Sequence, residues 1–296
     1  MIPEIVADPK CKLGEGPLWH PTEKRLHWTD ILGKRIHWFD PASGKNDVHW
    51  EGGTVGGFTI QADGALLLFM ERGAVKILRK GKLTTVIEEI PEERDSRFND
   101  VIADPVGRVF CGTMATKAHP ASLYRLDLDG KITKLLTGIG VSNGLGFAPD
   151  RRQLYYTDSP THEIYRFDYD QNTGSITNKR VFVRTPEGEG VPDGMTVDAE
   201  GYVWSARWDG NHLFRYAPGG DEVLRIKFPA KKVSSVIFAQ SRVDGASSGQ
   251  DDYGDMYITT AGGDHRDAEG EGAGALFRLR VPGVRGVPEY PSRVGL

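Results

Sequence analysis

Hydrophobic and polar positions along the chain alternate in short runs rather than in the three-to-four spacing of an amphipathic helix. A strand-like phrase that ends in a turn recurs six times: IHWFDP from Ile36, VKILRKG from Val75, LYRLDLDG from Leu123, IYRFDYD from Ile164, LFRYAPG from Leu213 and LFRLRVPG from Leu276. Each is preceded by a second run rich in aromatic and β-branched residues: LHWTD from Leu26, LLLFM from Leu66, VFCGTM from Val109, LYYTDS from Leu154, VWSAR from Val203 and MYITT from Met256. Such residues favour the pleated, half-buried surface of a sheet, so each pair predicts a hairpin. Ahead of the first five hairpins stands a third segment closed by turn chemistry, among them FTIQADGA, VIADPVGR and LGFAPDRR. There Gly supplies positive φ and Pro fixes it.

The sixth unit begins at Ser235-Val236-Ile237-Phe238 and carries a Ser/Gly/Asp-rich loop around 246–252 before its hairpin. Fourth strands are expected in LTTVIE from Leu83 and VLRIKF from Val223. The unit is therefore roughly four strands at a period of about forty to sixty residues, the signature of propeller blades. No long amphipathic run separates successive strands, as an α/β architecture requires. The expectation is an all-β, six-bladed β-propeller of four-stranded antiparallel blades, forming one domain over 1–296. Since no fourth strand follows Arg280, residues 2–6 are expected to complete the last blade.

Composition narrows the partners. The formal charge of -4 is spread along the 296 residues, without the clustered Lys/Arg stripe that nucleic acid or an anionic membrane surface selects. The start, Met1-Ile2-Pro3-Glu4, lacks the charged region and apolar run of a secretory signal, and no stretch is apolar enough to span a bilayer. Cys11 and Cys111 have no metal-ligand spacing and read as small buried hydrophobes of a reducing compartment. A cytoplasmic monomer or weak dimer acting on a small molecule is the expectation.

Candidate chemistry emerges when the six units are aligned at the residues just before their first strands. These read Gly14-Glu15-Gly16, Val55-Gly56-Gly57, Phe98-Asn99-Asp100, Ser142-Asn143-Gly144, Pro192-Asp193-Gly194 and Val233-Ser234-Ser235. First strands are innermost in a propeller, so these positions ring one mouth of the channel. Four carry oxygen-bearing side chains, Glu15, Asn99, Asn143 and Asp193, a set that suits calcium, magnesium or manganese over structural zinc. The following glycines leave room for close approach of backbone, and Gly56-Gly57 leaves space over the ion. Read singly, each Asn-Gly or Asp-Gly is equally a turn. No Gly-x-Ser-x-Gly elbow is present, and the eight histidines show no paired metal spacing. The acidic stretch 264–271 reads as a solvated loop or as a second cation site.

The segments LGEGPLW, RFNDVIADPVGRVFCGTM, VSNGLGFAPDRRQLYYTDS and VPDGMTVDAEGYVW resemble motifs of the gluconolactonase, senescence marker protein (regucalcin) and luciferin-regenerating enzyme family. The resemblance implies a six-bladed propeller with one divalent metal that hydrolyses an aldonolactone. It further implies Glu15, Asn143 and Asp193 as ligands, Asn99 close by or ligating through water, and Arg97 and Asn99 as substrate-binding residues. Asp193 is the expected base, and calcium the expected ion, with zinc, manganese or magnesium as alternatives. Arg97 could instead pair with Asp95, Asp100 or Glu93. After the GTM motif, sugar-binding members often place an acidic residue, whereas this chain reads Ala115-Thr116-Lys117-Ala118-His119, which leaves the lactone open. Two other functions fit the same residues: a phosphotriesterase-like or other ester hydrolase, and a non-catalytic calcium-binding propeller.

Overall fold

The computed structural model describes residues 1–240 and 252–296. Of the loop expected around 246–252, residues 246–251 lie outside the described residues. Six separate four-stranded antiparallel sheets account for the strands, in the orders β2-β3-β4-β5, β6-β7-β8-β9, β10-β11-β12-β13, β14-β15-β16-β17, β18-β19-β20-β21 and β1-β24-β23-β22. The chain is a six-bladed β-propeller. Its innermost strands are β2 (Gly14–His20), β6 (Val55–Ile60), β10 (Phe98–Ala103), β14 (Ser142–Phe147), β18 (Val191–Val197) and β22 (Val233–Ala239). Each packs against the next around a closed circle, with β2 also against β22.

Middle strands are covered by blades on both faces, which explains why they read as continuous apolar runs rather than alternating ones. In β7 (Leu66–Met70) every residue is buried, whereas β5 (Lys45–Glu51), at the rim of the first blade, is almost wholly exposed. Aromatic pairs join neighbouring blades: Phe69 with Phe98 at 5.3 Å between ring centroids, Phe110 with Phe147 at 5.7 Å, and Phe39 with Tyr257 at 6.0 Å. Such pairs contribute about 0.5–1.5 kcal/mol each beyond the area they bury.

The outer strand of the sixth blade is β1 (Glu4–Ala7), hydrogen-bonded antiparallel to β24 (Leu276–Arg280) in the register Glu4 to Arg278 and Ile5 to Phe277. Residues 4–7 and 276–280 thus meet in one sheet.

The C-terminal segment 286–296 does something the repeat pattern does not foretell. It leaves the fifth and sixth blades through Gly286, which bridges Asp198 and donates its N–H to Tyr253 O, and arrives at the second and third. There Ser292 bridges Gln61, Arg293 N–H donates to Gly107 O, and Gln61 Nε2 donates to Val294 O at 2.9 Å. Blades two and five are opposite one another, so the segment crosses the channel axis where the first strands end. Beside it lies a cavity of about 280 Å³, lined by Leu18, Asp100, Leu145, Met195 and, from the tail itself, Glu289 and Tyr290. The tail thereby lies across one mouth of the channel.

Candidate functional site

The residues aligned from the sequence stand at the other end of the innermost strands. Every one of these strands has a register irregularity at that point: between Glu15 and Leu18, Val55 and Gly57, Phe98 and Val101, Asn143 and Leu145, Pro192 and Met195, and Val233 and Ser235. A bulge adds an unpaired residue and re-aims its side chain. Repeating it in all six blades puts one residue per blade out of the ladder at the same height on the channel wall.

Gly56, Gly144 and Gly194, at this height, serve the neighbouring strand, whereas Gly16 has open space beside it. A Cβ on Gly144 would stand 2.5 Å from Asp193 O, and one on Gly194 2.3 Å from Ser235 Oγ, so a side chain there would push adjacent blades apart. On the same ground a Cβ on Gly56 would meet Phe98 O at 1.9 Å. The third blade's backbone already fills that space.

Side-chain contacts link the third, fourth and fifth blades. Arg97 Nη1 donates to Phe98 O at 2.9 Å and to Asn99 Oδ1 at 2.7 Å. Asn99 Nδ2 donates to Ser142 O at 2.9 Å and to Asn143 Oδ1 at 2.6 Å. Asn143 Nδ2 donates to Ser159 Oγ at 2.8 Å, and Ser159 Oγ donates to Pro192 O at 2.6 Å, next to Asp193. This chain of bonds orients both asparagine amides and leaves each carbonyl oxygen a lone pair to offer. Arg97 makes no ion pair with Asp95, Asp100 or Glu93 among the described residues: Asp95 meets His119 Nε2 at 2.9 Å, and Glu93 accepts from Tyr124 Oη at 2.7 Å.

Electrostatics complete the picture. Glu15, Asn99, Asn143 and Asp193 are all buried. Burial pushes the Glu15 carboxyl well above the carboxylate range, and the charges of Asp193 and Asp100 push it further, with Arg97 opposing. Asp193 is likewise pushed well up by burial and Asp100, while the Gly194 N–H, Arg97 and Arg207 pull the other way. Asp100 rises to about 7 through burial, against Arg97. Three carboxyls thus crowd one buried region with a single guanidinium near them all, and Glu15 Oε2 has no hydrogen-bond partner among the described residues. Carboxyls in that position are satisfied by a cation. The donors are carboxylate and amide oxygens without sulfur or imidazole, which fits a hard divalent ion.

Two groups here escaped the sequence reading as parts of the site. Asp100 follows Asn99 directly but was weighed only as a partner for Arg97. Arg207 in β19 (Val203–Trp208) is fully buried, donates to Ser205 Oγ at 2.6 Å, lies over the Phe214 ring at 4.6 Å and stands in register with Pro192. An arginine amid the apolar run VWSARW was the available signal, because arginine is seldom fully buried without a purpose. Lys117 is exposed on the loop after β11 (Val109–Thr113), which is tied to the Arg97 turn by Ser96 Oγ donating to Met114 O at 2.6 Å. In the acidic stretch, Asp264 pairs with Lys12 at 2.7 Å and Glu269 with Lys232, so two of its carboxylates already have cationic partners.

Residues 13–262 match the family model described as the SMP-30/gluconolactonase/LRE-like region. The chain belongs to this family. It is 45% identical over 298 residues to pentonolactonase XacC of Haloferax volcanii, covering 98% of each chain. It is 33% identical to the regucalcin of Gallus gallus, with 97% of each chain covered. Among solved structures it is similar to a calcium-binding protein, regucalcin, from Agrobacterium tumefaciens, with 28% identity, a TM-score of 0.87, and coverage of 99% of this chain and 97% of that one.

Proposed function

We propose that the chain hydrolyses a sugar lactone, of the five-carbon class in the first instance, at a divalent-cation site formed by Glu15, Asn143 and Asp193 with Asn99 alongside. The observation that carries this reading is the buried, unpartnered Glu15 Oε2 among carboxyls drawn from three blades, on a chain 45% identical to a pentonolactonase. Calcium is the ion the oxygen-only donor set fits best, with magnesium, manganese and zinc as substitutes of graded effectiveness.

When bound, the cation polarises the lactone carbonyl and supplies the charge that keeps the surrounding carboxylates ionised. Asp193 takes the proton of the attacking water as its oxygen bonds to the carbonyl carbon. The same carboxyl returns that proton to the ring oxygen as the acyl C–O bond breaks, so that the hydroxy acid leaves. Arg97, held by Phe98 O and Asn99, offers its remaining N–H groups to the lactone oxygens through its planar fork. With the far mouth crossed by segment 286–296, substrate approaches past Arg97 and the Lys117 loop, whose side chains then select the lactone.

The test is acid release from five- and six-carbon aldonolactones, and hydrolysis of an organophosphate ester for comparison, by chelator-stripped protein with each metal added back. Lactone opening should depend on added metal and exceed ester cleavage. Asp193→Asn should lose about 10²–10⁴ of the rate with an unchanged circular dichroism spectrum. Full activity in the stripped protein, or in that variant, removes the assignment, and lactones left intact with every metal favour a non-catalytic calcium-binding propeller.

A further inference from the structure

Away from the ring, at the opposite end of the first blade, three side chains present ligand atoms that all lie within 4.8 Å of one another: Glu23, His27 and His49. Glu23 belongs to the turn between β2 and β3 (Arg25–Asp30), His27 to β3 and His49 to the exposed strand β5. We propose that these three hold a transition-metal ion of the zinc type, separate from the cation of the channel.

His27 is the decisive residue. It is fully buried, and among the described residues neither of its ring nitrogens has a hydrogen-bond partner. Leaving such a group unsatisfied is costly, and coordination removes that cost. Its Nε2 stands 3.4 Å from Glu23 Oε2, too long for a hydrogen bond but close to the edge of a tetrahedron built on metal–ligand bonds of about 2.0–2.1 Å. The His49 ring lies edge-on to that of His27 at 4.8 Å between centroids. Burial first, and then neighbouring positive charge, holds His27 well below its ordinary value, and burial lowers His49 too, so both imidazoles keep the lone pair a metal needs. His20 supports Glu23: its Nδ1 accepts the Glu23 N–H at 3.2 Å while its Nε2 donates to Gly64 O at 3.0 Å, which fixes its tautomer and leaves it no site for an ion. Arg25, the adjacent cation, is turned onto the Trp38 ring at 4.1 Å.

Nitrogen from two imidazoles and one carboxylate oxygen, with Glu23 and His49 exposed so that water can take the fourth position, is zinc chemistry rather than calcium chemistry. The other histidine-containing cluster, Cys11, Asp30 and His37, is already committed. Asp30 accepts from the N–H groups of Lys12, Leu13 and Gly33 at 3.1, 2.9 and 3.0 Å, and His37 stacks on Trp28 at 5.3 Å. An ion at the proposed site would tie the inner hairpin of the first blade to its outermost strand, which has little burial of its own.

The experiment is metal analysis of chelator-stripped protein equilibrated with zinc and then desalted, together with the visible spectrum of the cobalt form. Wild type should retain one more equivalent of zinc than His49→Gln or Glu23→Gln, and only wild type should give the intense visible bands of four-coordinate cobalt. Both variants should keep the lactone hydrolysis rate. Since these two positions are exposed, the test stands even if His27→Gln fails to fold. Equal zinc content in wild type and His49→Gln, with the same cobalt spectrum, overturns the proposal.

Discussion

Replacing Glu289 by glutamine should make the protein more stable, and more so as pH rises. Glu289, half-buried, reaches the cavity from the tail that crosses the channel, where its loss of solvent raises its carboxyl from an ordinary 4.5 to about 7, with the Thr196 hydroxyl opposing. That rise corresponds to about 3 kcal/mol at about 1.4 kcal/mol for each tenfold change in proton affinity. Space for water beside the carboxyl reduces this to about 2–3 kcal/mol. Because the folded protein holds this proton more tightly than the unfolded chain, the contribution is complete below pH 4.5, is lost as pH climbs through 7, and stays lost above. Glutamine has no proton to lose. Urea unfolding of both proteins in saturating calcium, which holds the ring carboxylates in one state, should give equal stability near pH 4.5 and an advantage of about 2–3 kcal/mol for Glu289→Gln at pH 8. A difference that does not change between those pH values, or a variant weaker at pH 8, refutes the reasoning.

Two further outcomes follow from the packing. Ser159→Ala removes the hydroxyl that accepts from Asn143 and donates to Pro192 O, so metal affinity should fall about 10–100-fold in a calcium titration, and stability by about 1–3 kcal/mol. Deleting residues 1–7 strips β24 of its partner, and calorimetry and size-exclusion chromatography should report an unfolding midpoint lower by several degrees and self-association through the bared edge.

The blades were legible because each hairpin repeats one phrase, and the observed strands fall on those phrases: β3 on LHWTD, β7 on LLLFM, β16 (Glu163–Asp170) on IYRFDYD. Alignment of the repeats also located Glu15, Asn99, Asn143 and Asp193 without any contact information, since rotational symmetry turns a shared register into a shared place. What lies outside the repeat was not legible. The tail has no counterpart in other blades, so nothing marked Glu289 as a channel residue. Ser159 follows a strand rather than preceding one, and the amides it steers are far from it in sequence. Gly56, Gly144 and Gly194 yield to the next strand, a contact that only the closed circle creates and that the sequence does not announce.

Fastening the circle with β1 delays its closure during synthesis. Arg278 Nη2 donates to Glu4 at 2.8 Å across a separation of 274 residues, so β1, once made, waits for its partner until β24 has been made as well. Until then the nascent protein is an open arc with two unguarded flanks. Contacts so distant in sequence close late and slowly. A chain cut short before Leu276 would lack the strand on which β1 docks, and it would stay an arc, with bared edges for proteases and chaperones to find.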